Sequence, residues 1–207
     1  MTLRLYRGAI GAGLLVMAVV AFLLTGIFGG DVSARKRAAR AVLHDSAGSR
    51  VGVVRLEPHR GATMVTVSAW NLAPGFHGFH VHAVGVCDPD APGGPFTSAG
   101  GHYNPGARTH GDHAGDLPSL LVMNDGRGYS RFLTDRFTTA ELMDADGSAV
   151  IVHSGRDNFA NIPTRYHSHT ENTFGPDSAT LATGDAGSRA ACGVVDDRGH
   201  DDDDDDD

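Results

Sequence analysis

Cysteine is scarce in this sequence, and the middle of the chain has no excess of positive charge. Cys87 and Cys192 are the only two cysteines among 207 residues. Residues 41–195 contain 10 basic and 15 acidic residues, which gives this section a net charge of −5. Domains that bind nucleic acid usually carry a basic face, so we expect no nucleic-acid partner.

Long apolar segments are also absent, with one exception near the start of the chain. Residues 9–30 contain no charged residue and are long enough to cross a bilayer. They fit either a signal peptide cut after Ala34 or an uncleaved membrane anchor. The basic residues that follow oppose export of that side, and no cysteine for lipid attachment lies near the run. In both cases residues 1–34 direct export, residues 35–40 form a basic linker, and the domain lies in the cell envelope, membrane-anchored or secreted.

The two cysteines have two interpretations. In an exported protein we expect one disulfide between Cys87 and Cys192, which would close a loop of about half the chain. In the chain-entropy model such a loop stabilises the fold by roughly 4–5 kcal/mol. The alternative is a pair of unrelated buried thiols.

Short alternating segments and many turn residues indicate an all-β fold. The chain contains 28 Gly and 9 Pro, and a helical turn is predicted only at residues 138–143. Residues 85–118 and 154–189 are long and irregular, and such loops in a compact domain usually have a function. Seven or eight strands with two long loops are typical of a β-sandwich or flattened barrel. The predicted strands are residues 41–45, 50–57, 62–70, 79–84, 117–123, 129–133, 149–152 and 190–195.

A histidine pair lies on the strand predicted at residues 79–84. His80 and His82 are two residues apart, so their side chains point to the same face of the strand. Imidazole is a ligand that suits copper or zinc, so the pair is a candidate metal site. The alternative is a solvated pair with no ligand.

The first long loop contains three histidines and a carboxylate within fifteen residues. His102, His110, His113 and Asp116 would form a closed tetrahedral zinc set of nitrogen and oxygen ligands. A bound ion would also order a loop that has few apolar residues. A solvated histidine-rich loop is the alternative. His153, at the end of a buried strand, is either a further ligand or a capped edge residue.

Five stretches together resemble the bacterial, exported copper/zinc superoxide dismutases. They are residues 78–82 (GFHVH), 98–105 (SAGGHYNP), 113–118 (HAGDLP), 150–153 (VIVH) and 187–194 (GSRAACGV). The resemblance covers residues 41–195 and implies an eight-stranded Greek-key β-sandwich or flattened barrel with two long functional loops. It also implies copper and zinc as cofactors and superoxide as the substrate.

The resemblance assigns ligands to both metals. The copper ligands would be His80, His82, His102 and His153. The zinc ligands would be His102, His110, His113 and Asp116. His102 would join the two metals as an imidazolate, because two nearby cations allow the ring to lose both protons. His102 and Arg189 are therefore the implied catalytic residues.

The resemblance also implies roles for residues around the ligands. Asp157 would connect a copper histidine to a zinc histidine and hold both rings in orientation. Arg189 would attract and hold an anion beside copper. Cys87 and Cys192 would form the family disulfide. A homodimer is among the assemblies that the resemblance allows.

Some features depart from the family pattern or lie outside it. The zinc loop is short, because His110 and His113 are only three positions apart. Asp185 and Ala182 stand where relatives often carry Asn and Lys, which leaves Arg189 as the one steering charge that we assign. We expect His77 to be a hydrogen-bonding structural residue. His167 and His169 are expected to be a solvated pair, with a surface metal site as the alternative.

The expected function is dismutation of superoxide to oxygen and hydrogen peroxide, which would protect the cell envelope from oxidative damage. The alternative is an exported copper-binding or carrier domain without enzymatic activity. Such a carrier would be expected to lack His102, Arg189 or the zinc set. Residues 196–207 are expected to be a disordered acidic tail, because seven adjacent aspartates repel one another.

Overall fold

The computed structural model describes residues 37–197. The predicted signal peptide or anchor, the start of the basic linker and the aspartate run lie outside the described residues. Within residues 37–197, no helix is long and apolar enough to cross a membrane. The strands are β1 (Ala39–Asp45), β2 (Arg50–His59), β3 (Ala62–Ala69), β4 (Gly75–His77), β5 (Phe79–His82), β6 (Leu120–Val122), β7 (Gly128–Thr134), β8 (Ala149–His153), β9 (His167–Ser168), β10 (Thr173–Phe174), β11 (Arg189–Val194) and β12 (Asp196–Asp197). The helices are a 3-10 turn (Thr97–Ala99), α1 (Thr139–Leu142) and α2 (Ser178–Thr183).

The main sheet is antiparallel and nearly closes into a barrel. Its strand order is β4-β6-β7-β3-β2-β1-β11-β8-β5, and β12 adds to β1. The two edge strands, β4 and β5, follow each other in the chain with only Gly78 between them. When β4 and β5 are taken as one strand bent at Gly78, eight strands surround the core. The prediction of an all-β, eight-stranded flattened barrel is confirmed.

Alternation along the strands places the core inside this barrel. In β3 every second side chain is buried, from Thr63 through Val65 and Val67 to Ala69. Leu43, Leu56 and Leu120 from neighbouring strands are fully buried in the same cluster. Burying one such aliphatic side chain contributes roughly 1.5–3 kcal/mol, so this cluster is what holds the barrel rigid beneath the loops.

The second long loop contains regular structure that the sequence did not predict. Residues 154–189 were expected to be irregular, but they include α2 and the two-strand pair β9–β10. Asp177 caps α2 by accepting a hydrogen bond from the Thr180 N–H, and Gly184 ends it in the left-handed conformation. A helix of six residues is too short to produce a recognisable hydrophobic period.

The barrel extends slightly beyond the predicted domain limits of 41 and 195. β1 begins at Ala39, inside the predicted linker, and Asp196 and Asp197 pair with Arg40 and Ala39 as β12. Arg37 also forms an ion pair with Asp197, at 3.2 Å. The first two residues of the predicted disordered tail are therefore part of the sheet, because an open edge of β1 is available to them.

Candidate metal centre

The strand β5 places apolar side chains on one face and histidine side chains on the other. Phe79 and Val81 point into the barrel core, whereas His80 and His82 point to the opposite face. Both histidines are still fully buried, because the two long loops cover that face. The alternation predicted for this strand therefore presents two imidazoles beneath the loops.

Four histidines form the first cluster: His80, His82, His102 and His153. Their potential ligand nitrogens all lie within 4.8 Å of one another. His82 Nε2 is 3.4 Å from His153 Nε2. The Nδ1 atoms of the same two rings face the carbonyl oxygens of Gly100 and Gly187, at 2.9 and 3.1 Å. These carbonyls select the Nδ1–H tautomer and leave both Nε2 lone pairs free to bind a metal.

His80 belongs to the same cluster, but its two ring nitrogens have the opposite roles: Nε2 forms the hydrogen bond and Nδ1 is free. Its Nε2 is 2.8 Å from Asp157 Oδ2. Its Nδ1 is buried and has no hydrogen-bond partner. A buried polar atom without a partner is costly unless something else satisfies it. A copper ion held by His80 Nδ1, His82 Nε2 and His153 Nε2 would satisfy all three, so the residues fit the metal.

The second cluster has the dimensions of a tetrahedral zinc site. Asp116 Oδ1 lies 2.8 Å from His102 Nδ1, 3.2 Å from His110 Nδ1 and 3.3 Å from His113 Nδ1. His102 Nδ1 and His113 Nδ1 are 3.3 Å apart. Ligands about 2.0 Å from a tetrahedral zinc ion are separated by roughly 3.3 Å. His110 Nδ1 is buried and forms no hydrogen bond, as expected of a ligand atom.

A tight turn brings these zinc-type ligands together. Asp116 Oδ2 accepts hydrogen bonds from the backbone N–H groups of Gly111 and His113, at 2.7 and 3.0 Å. Oδ1 of the same carboxylate is thereby directed at the three imidazoles. Gly111 has φ 90°, a conformation that a residue with a Cβ adopts only with strain. This glycine allows His110 and His113 to converge although only two residues separate them.

Asp157 connects the two clusters. Its Oδ2 faces His80 Nε2 and its Oδ1 faces His110 Nε2, both at 2.8 Å. Oδ1 also accepts the Phe159 N–H at 2.7 Å. The carboxylate therefore fixes one ring of each cluster and leaves the Nδ1 atom of each for a metal. Gly184 packs directly against this contact: a Cβ there would lie 2.1 Å from Asp157 Oδ1 and 2.2 Å from His110 Nε2.

His110 differs in pKa from His82 and His153, and also from its neighbour His113, whose pKa burial lowers. Burial lowers the pKa of His153 to about 3, and the neighbouring His80 acts in the same direction. Burial also lowers the pKa of His82 well below its usual value. At His110 burial lowers the pKa too, but the carboxylates of Asp116 and Asp157 outweigh it and raise the pKa to about 9. Without metal, His82 and His153 are neutral at pH 7 and His110 is protonated.

Arg189 lies beside the first cluster at the start of β11. It is directly opposite His153 in the β8–β11 pairing. Its guanidinium donates hydrogen bonds to the carbonyl oxygens of Phe96 and Gly100 in the first long loop. A cleft of about 540 Å³ opens over the cluster, with Arg189 as the cation in its lining. The cleft is lined by His82, His102, His153, Ala182, Asp185 and Arg189, among others.

The cysteines form the disulfide that was expected. Cys87 in the first long loop is bonded to Cys192 in β11, with their Cα atoms 5.7 Å apart. The alternative of two separate thiols is therefore wrong. A disulfide indicates an oxidising compartment.

The structure brings together every residue predicted for the two metal sets. It also brings Asp157 and Arg189 to them. His77 lies outside both sets, and each of its ring nitrogens is 2.7 Å from a carbonyl oxygen, of His153 and of Ala73. His167 and His169 lie on the β9–β10 hairpin with ring centroids 5.0 Å apart. They do not join either cluster of the described residues.

Sequence reasoning missed several residues that orient the ligands. The carbonyls of Gly100 and Gly187 give no side-chain signal, and the close contact of Gly184 depends on the path of the second loop. Arg136, which donates hydrogen bonds to the backbone of the zinc-type loop, was missed as well. The nearest signal would have been a lone arginine just after a strand, which is too common to be informative.

The fold and the two adjacent clusters define a β-barrel metalloprotein with a paired metal centre. A family model described as copper/zinc superoxide dismutase matches residues 50–195. The chain belongs to the copper/zinc superoxide dismutase family. Its cofactors are accordingly copper and zinc, and its activity is the dismutation of superoxide.

Relatives and solved structures agree with this assignment. The superoxide dismutase [Cu-Zn] of Mycolicibacterium paratuberculosis is 44% identical over 158 residues, which are 72% of this chain and 69% of that protein. That of Mycobacterium tuberculosis is also 44% identical, over 72% of this chain and 65% of its own length. The chain thus spans about two thirds of the length of these relatives. A double mutant of a SOD-like protein from Bacillus subtilis has a similar structure, with TM-score 0.60, 30% identity and coverage of 75% and 95% of the two chains.

Proposed function

We propose that the first cluster is the copper site of this dismutase. His80 would bind through Nδ1, and His82 and His153 through Nε2, because their other nitrogens are engaged by Asp157, Gly100 and Gly187. His102 would contribute Nε2, since its Nδ1 belongs to the second cluster. Copper supplies a one-electron couple that lets one superoxide be oxidised and a second one be reduced.

The second cluster is the zinc site in this proposal. Its ligand atoms are Asp116 Oδ1 and the Nδ1 atoms of His102, His110 and His113. The observation that carries the proposal is the position of His102, which lies among the histidines of the first cluster while its Nδ1 lies 2.8 Å from Asp116 Oδ1 and 3.3 Å from His113 Nδ1. A ring between two cation sites is expected to lose and regain its Nε2 proton readily, because the zinc side holds its Nδ1.

The remaining chain residues bind the substrate and supply a proton. Two superoxide anions and two protons give one oxygen and one hydrogen peroxide. Arg189 would hold the anion in the cleft, since its guanidinium is fixed by two loop carbonyls and keeps its positive charge. His102 would deliver a proton from Nε2 to the oxygen that is reduced. The rings of His82 and His153 line the same cleft.

A single variant separates this assignment from a metal-independent role. His80→Ala removes the nitrogen that lacks a partner, so we expect loss of turnover and of bound copper. His169→Ala, on the exposed β9–β10 hairpin, is the matched control and should keep both. Superoxide dismutation and metal content are measured on the same samples. Full activity in copper-supplied His80→Ala protein would contradict the copper site.

The location of the enzyme is the cell envelope in this proposal. The disulfide requires an oxidising compartment, and residues 9–30 supply an uncharged segment long enough for export. Mass spectrometry of protein isolated from cell fractions distinguishes a chain cleaved after Ala34 from an uncleaved, membrane-anchored chain. A chain that begins at Arg35 indicates a secreted or periplasmic enzyme, and an intact chain in the membrane fraction indicates an anchored one. An intact chain in the cytoplasmic fraction would contradict export.

A homodimer through the outer face of β4, β6 and β7 is the proposed assembly. Five apolar side chains on this face are each about half or more exposed: Phe76, Leu121, Met123, Tyr129 and Leu133. Phe76 and Leu121 are direct cross-strand neighbours. Apolar surface of this kind usually marks a protein interface.

Sedimentation of the wild type should show a dimer. Leu121→Lys should dissociate this dimer, whereas Val86→Lys, at an exposed apolar residue outside the face, should leave it intact. A monomer at all concentrations would contradict it.

A further inference from the structure

Arg136 reaches from the end of β7 to the short zinc loop. Its Nη1 donates hydrogen bonds to the carbonyl oxygens of Gly111 and His113, at 3.1 and 3.0 Å. Its Nη2 lies 3.7 Å from an Asp112 carboxylate oxygen, and both of these side chains are substantially exposed. The ion pair is therefore weak, and the two carbonyl contacts are the defined part of the interaction.

The same two loop residues are held from their other side by a zinc ligand. The N–H groups of Gly111 and His113 donate to Asp116 Oδ2. Each residue thus has its N–H fixed by Asp116 and its C=O fixed by Arg136. A planar guanidinium suits this task, because its donors keep a fixed geometry while an ammonium group does not. The turn between His110 and Asp116 is restrained by these four hydrogen bonds.

His113 and His102 differ from the other four histidines of the two clusters in how their rings are held, because the ring contacts of both are to each other and to Asp116. The rings of His80 and His110 are held by Asp157, and those of His82 and His153 by backbone carbonyls. Among residues 37–197, the hydrogen bonds found for the His113 ring involve only the zinc set itself. Its Nδ1 must therefore be positioned through its backbone, which Arg136 and Asp116 hold.

We propose that Arg136 is a positioning residue for zinc, acting through the peptide groups of Gly111 and His113. This inference rests on the zinc assignment proposed above. Removing the guanidinium takes a donor from the Gly111 and His113 carbonyls and leaves the His113 carbonyl with the Asp116 N–H, at 3.2 Å. The His113 ring can then move from its 3.3 Å contacts with Asp116 Oδ1 and His102 Nδ1. Mutation of a residue that orients a metal ligand typically lowers metal affinity 10- to 100-fold. Because Arg136 is partly exposed, we expect a loss of zinc affinity of about 10-fold.

The test compares zinc and copper release in the full chain and its variants. Arg136→Met removes all donors and keeps much of the stem, and Arg136→Lys keeps the charge without the fork. Asp112→Asn removes the ion pair alone, and Arg131→Met removes an exposed arginine of β7 that makes none of these contacts. Zinc dissociation is followed with a chromophoric chelator, and the site geometry is followed by the visible spectrum of Co²⁺ bound in place of zinc.

Arg136→Met is expected to release zinc about 10-fold faster and to alter the Co²⁺ spectrum, with Arg136→Lys between it and the wild type. Copper release should match the wild type in all variants. Zinc release from Asp112→Asn and from Arg131→Met should also match the wild type. Equal losses of thermal stability in the zinc-free and zinc-loaded forms, with unchanged zinc release, would overturn the role of Arg136. If the wild type itself binds no zinc in the loop, the zinc assignment fails instead.

Discussion

At the scale of single residues, the two metal sets differ in the protons that they hold before a metal binds. The pKa of His153 is lowered to about 3 by burial, so this ring is neutral at physiological pH. The pKa of His110 is raised to about 9 by Asp116 and Asp157 in spite of burial. A histidine must lose its ring proton to bind a metal through that nitrogen, so the second set has to release a proton from His110, whereas the first set has none to release from His153.

Zinc binding is therefore expected to expel about one proton from His110 at pH 7.5, whereas copper binding expels none from His153. Below pH 9 the proton competes with zinc, so the apparent zinc affinity should rise about tenfold per pH unit and level off above pH 9. Calorimetry of the metal-free protein in buffers of different ionisation enthalpy measures the protons released. Asp157→Asn, which removes one of the two carboxylates, should reduce the release. A zinc affinity independent of pH between 7 and 9 would contradict the raised pKa.

Gly184→Ala tests the contact between Asp157 and His110. The new Cβ would lie 2.1 Å from Asp157 Oδ1, and the residue has φ 61°. Left-handed backbone alone costs roughly 1–2 kcal/mol for a residue with a Cβ. Gly48→Ala is the control, because its φ is 81° and no heavy atom lies within 4 Å of the new Cβ. We expect weaker zinc retention and the larger loss of unfolding free energy in Gly184→Ala. Equal behaviour of the two variants would count against the contact.

Arg189→Met tests anion attraction at the cleft. Arg189 is the cation in the cleft lining, and Asp185 lies in the same lining with a carboxylate. Loss of the guanidinium should slow the reaction about tenfold or more and flatten its dependence on ionic strength. Arg189→Lys keeps the charge and should keep the salt dependence. A salt dependence that Arg189→Met leaves unchanged would argue against steering by this residue.

At the scale of elements, the disulfide fastens the loop whose carbonyls orient the site. Phe96 and Gly100, which accept hydrogen bonds from Arg189, lie in the loop that Cys87 ties to β11. Gly100 also orients His82. One covalent bond thus supports both His82, the proposed copper ligand, and Arg189, the proposed anion-binding residue.

The variant with both Cys87→Ser and Cys192→Ser should lose stability and activity together. Opening a loop with a sequence separation of 105 costs about 4–5 kcal/mol in the chain-entropy model. Denaturant unfolding of the metal-free protein measures this loss, and reduced wild type is the matched comparison. A loss below about 1 kcal/mol would show that the loop is held mainly by its other contacts.

The strands and the ligands could be predicted from the sequence to different degrees. His80 and His82 followed from strand alternation, and the zinc-type set followed from the density of His and Asp in one loop. The pairing of these sets through His102 and Asp157 came from the family resemblance, because residues far apart in the chain carry no local signal. The short helix α2, the carbonyls of Gly100 and Gly187, and the contacts of Arg136 depend on tertiary packing, so no sequence pattern indicated them.

At the scale of the whole molecule, the candidate metal centre lies between the outer face of the barrel and the two long loops that cover it. β5, β8 and β11 are neighbours in the sheet, and they carry His80, His82, His153 and Arg189. The first loop adds the remaining ligands, and the second adds Asp157. Because the ligands come from strands and from loops fixed to them, the site is largely formed before metal binds, and little reorganisation is needed for catalysis.

The most direct test of this account is the superoxide dismutation rate of the chain loaded with copper and zinc, with metal content determined on the same sample. Superoxide dismutases as a class work near the diffusion limit. We expect one copper and one zinc per chain and a rate of that order, which falls as ionic strength rises. Stoichiometric copper and zinc with no turnover would contradict the account and would favour a copper-carrying role for the same site.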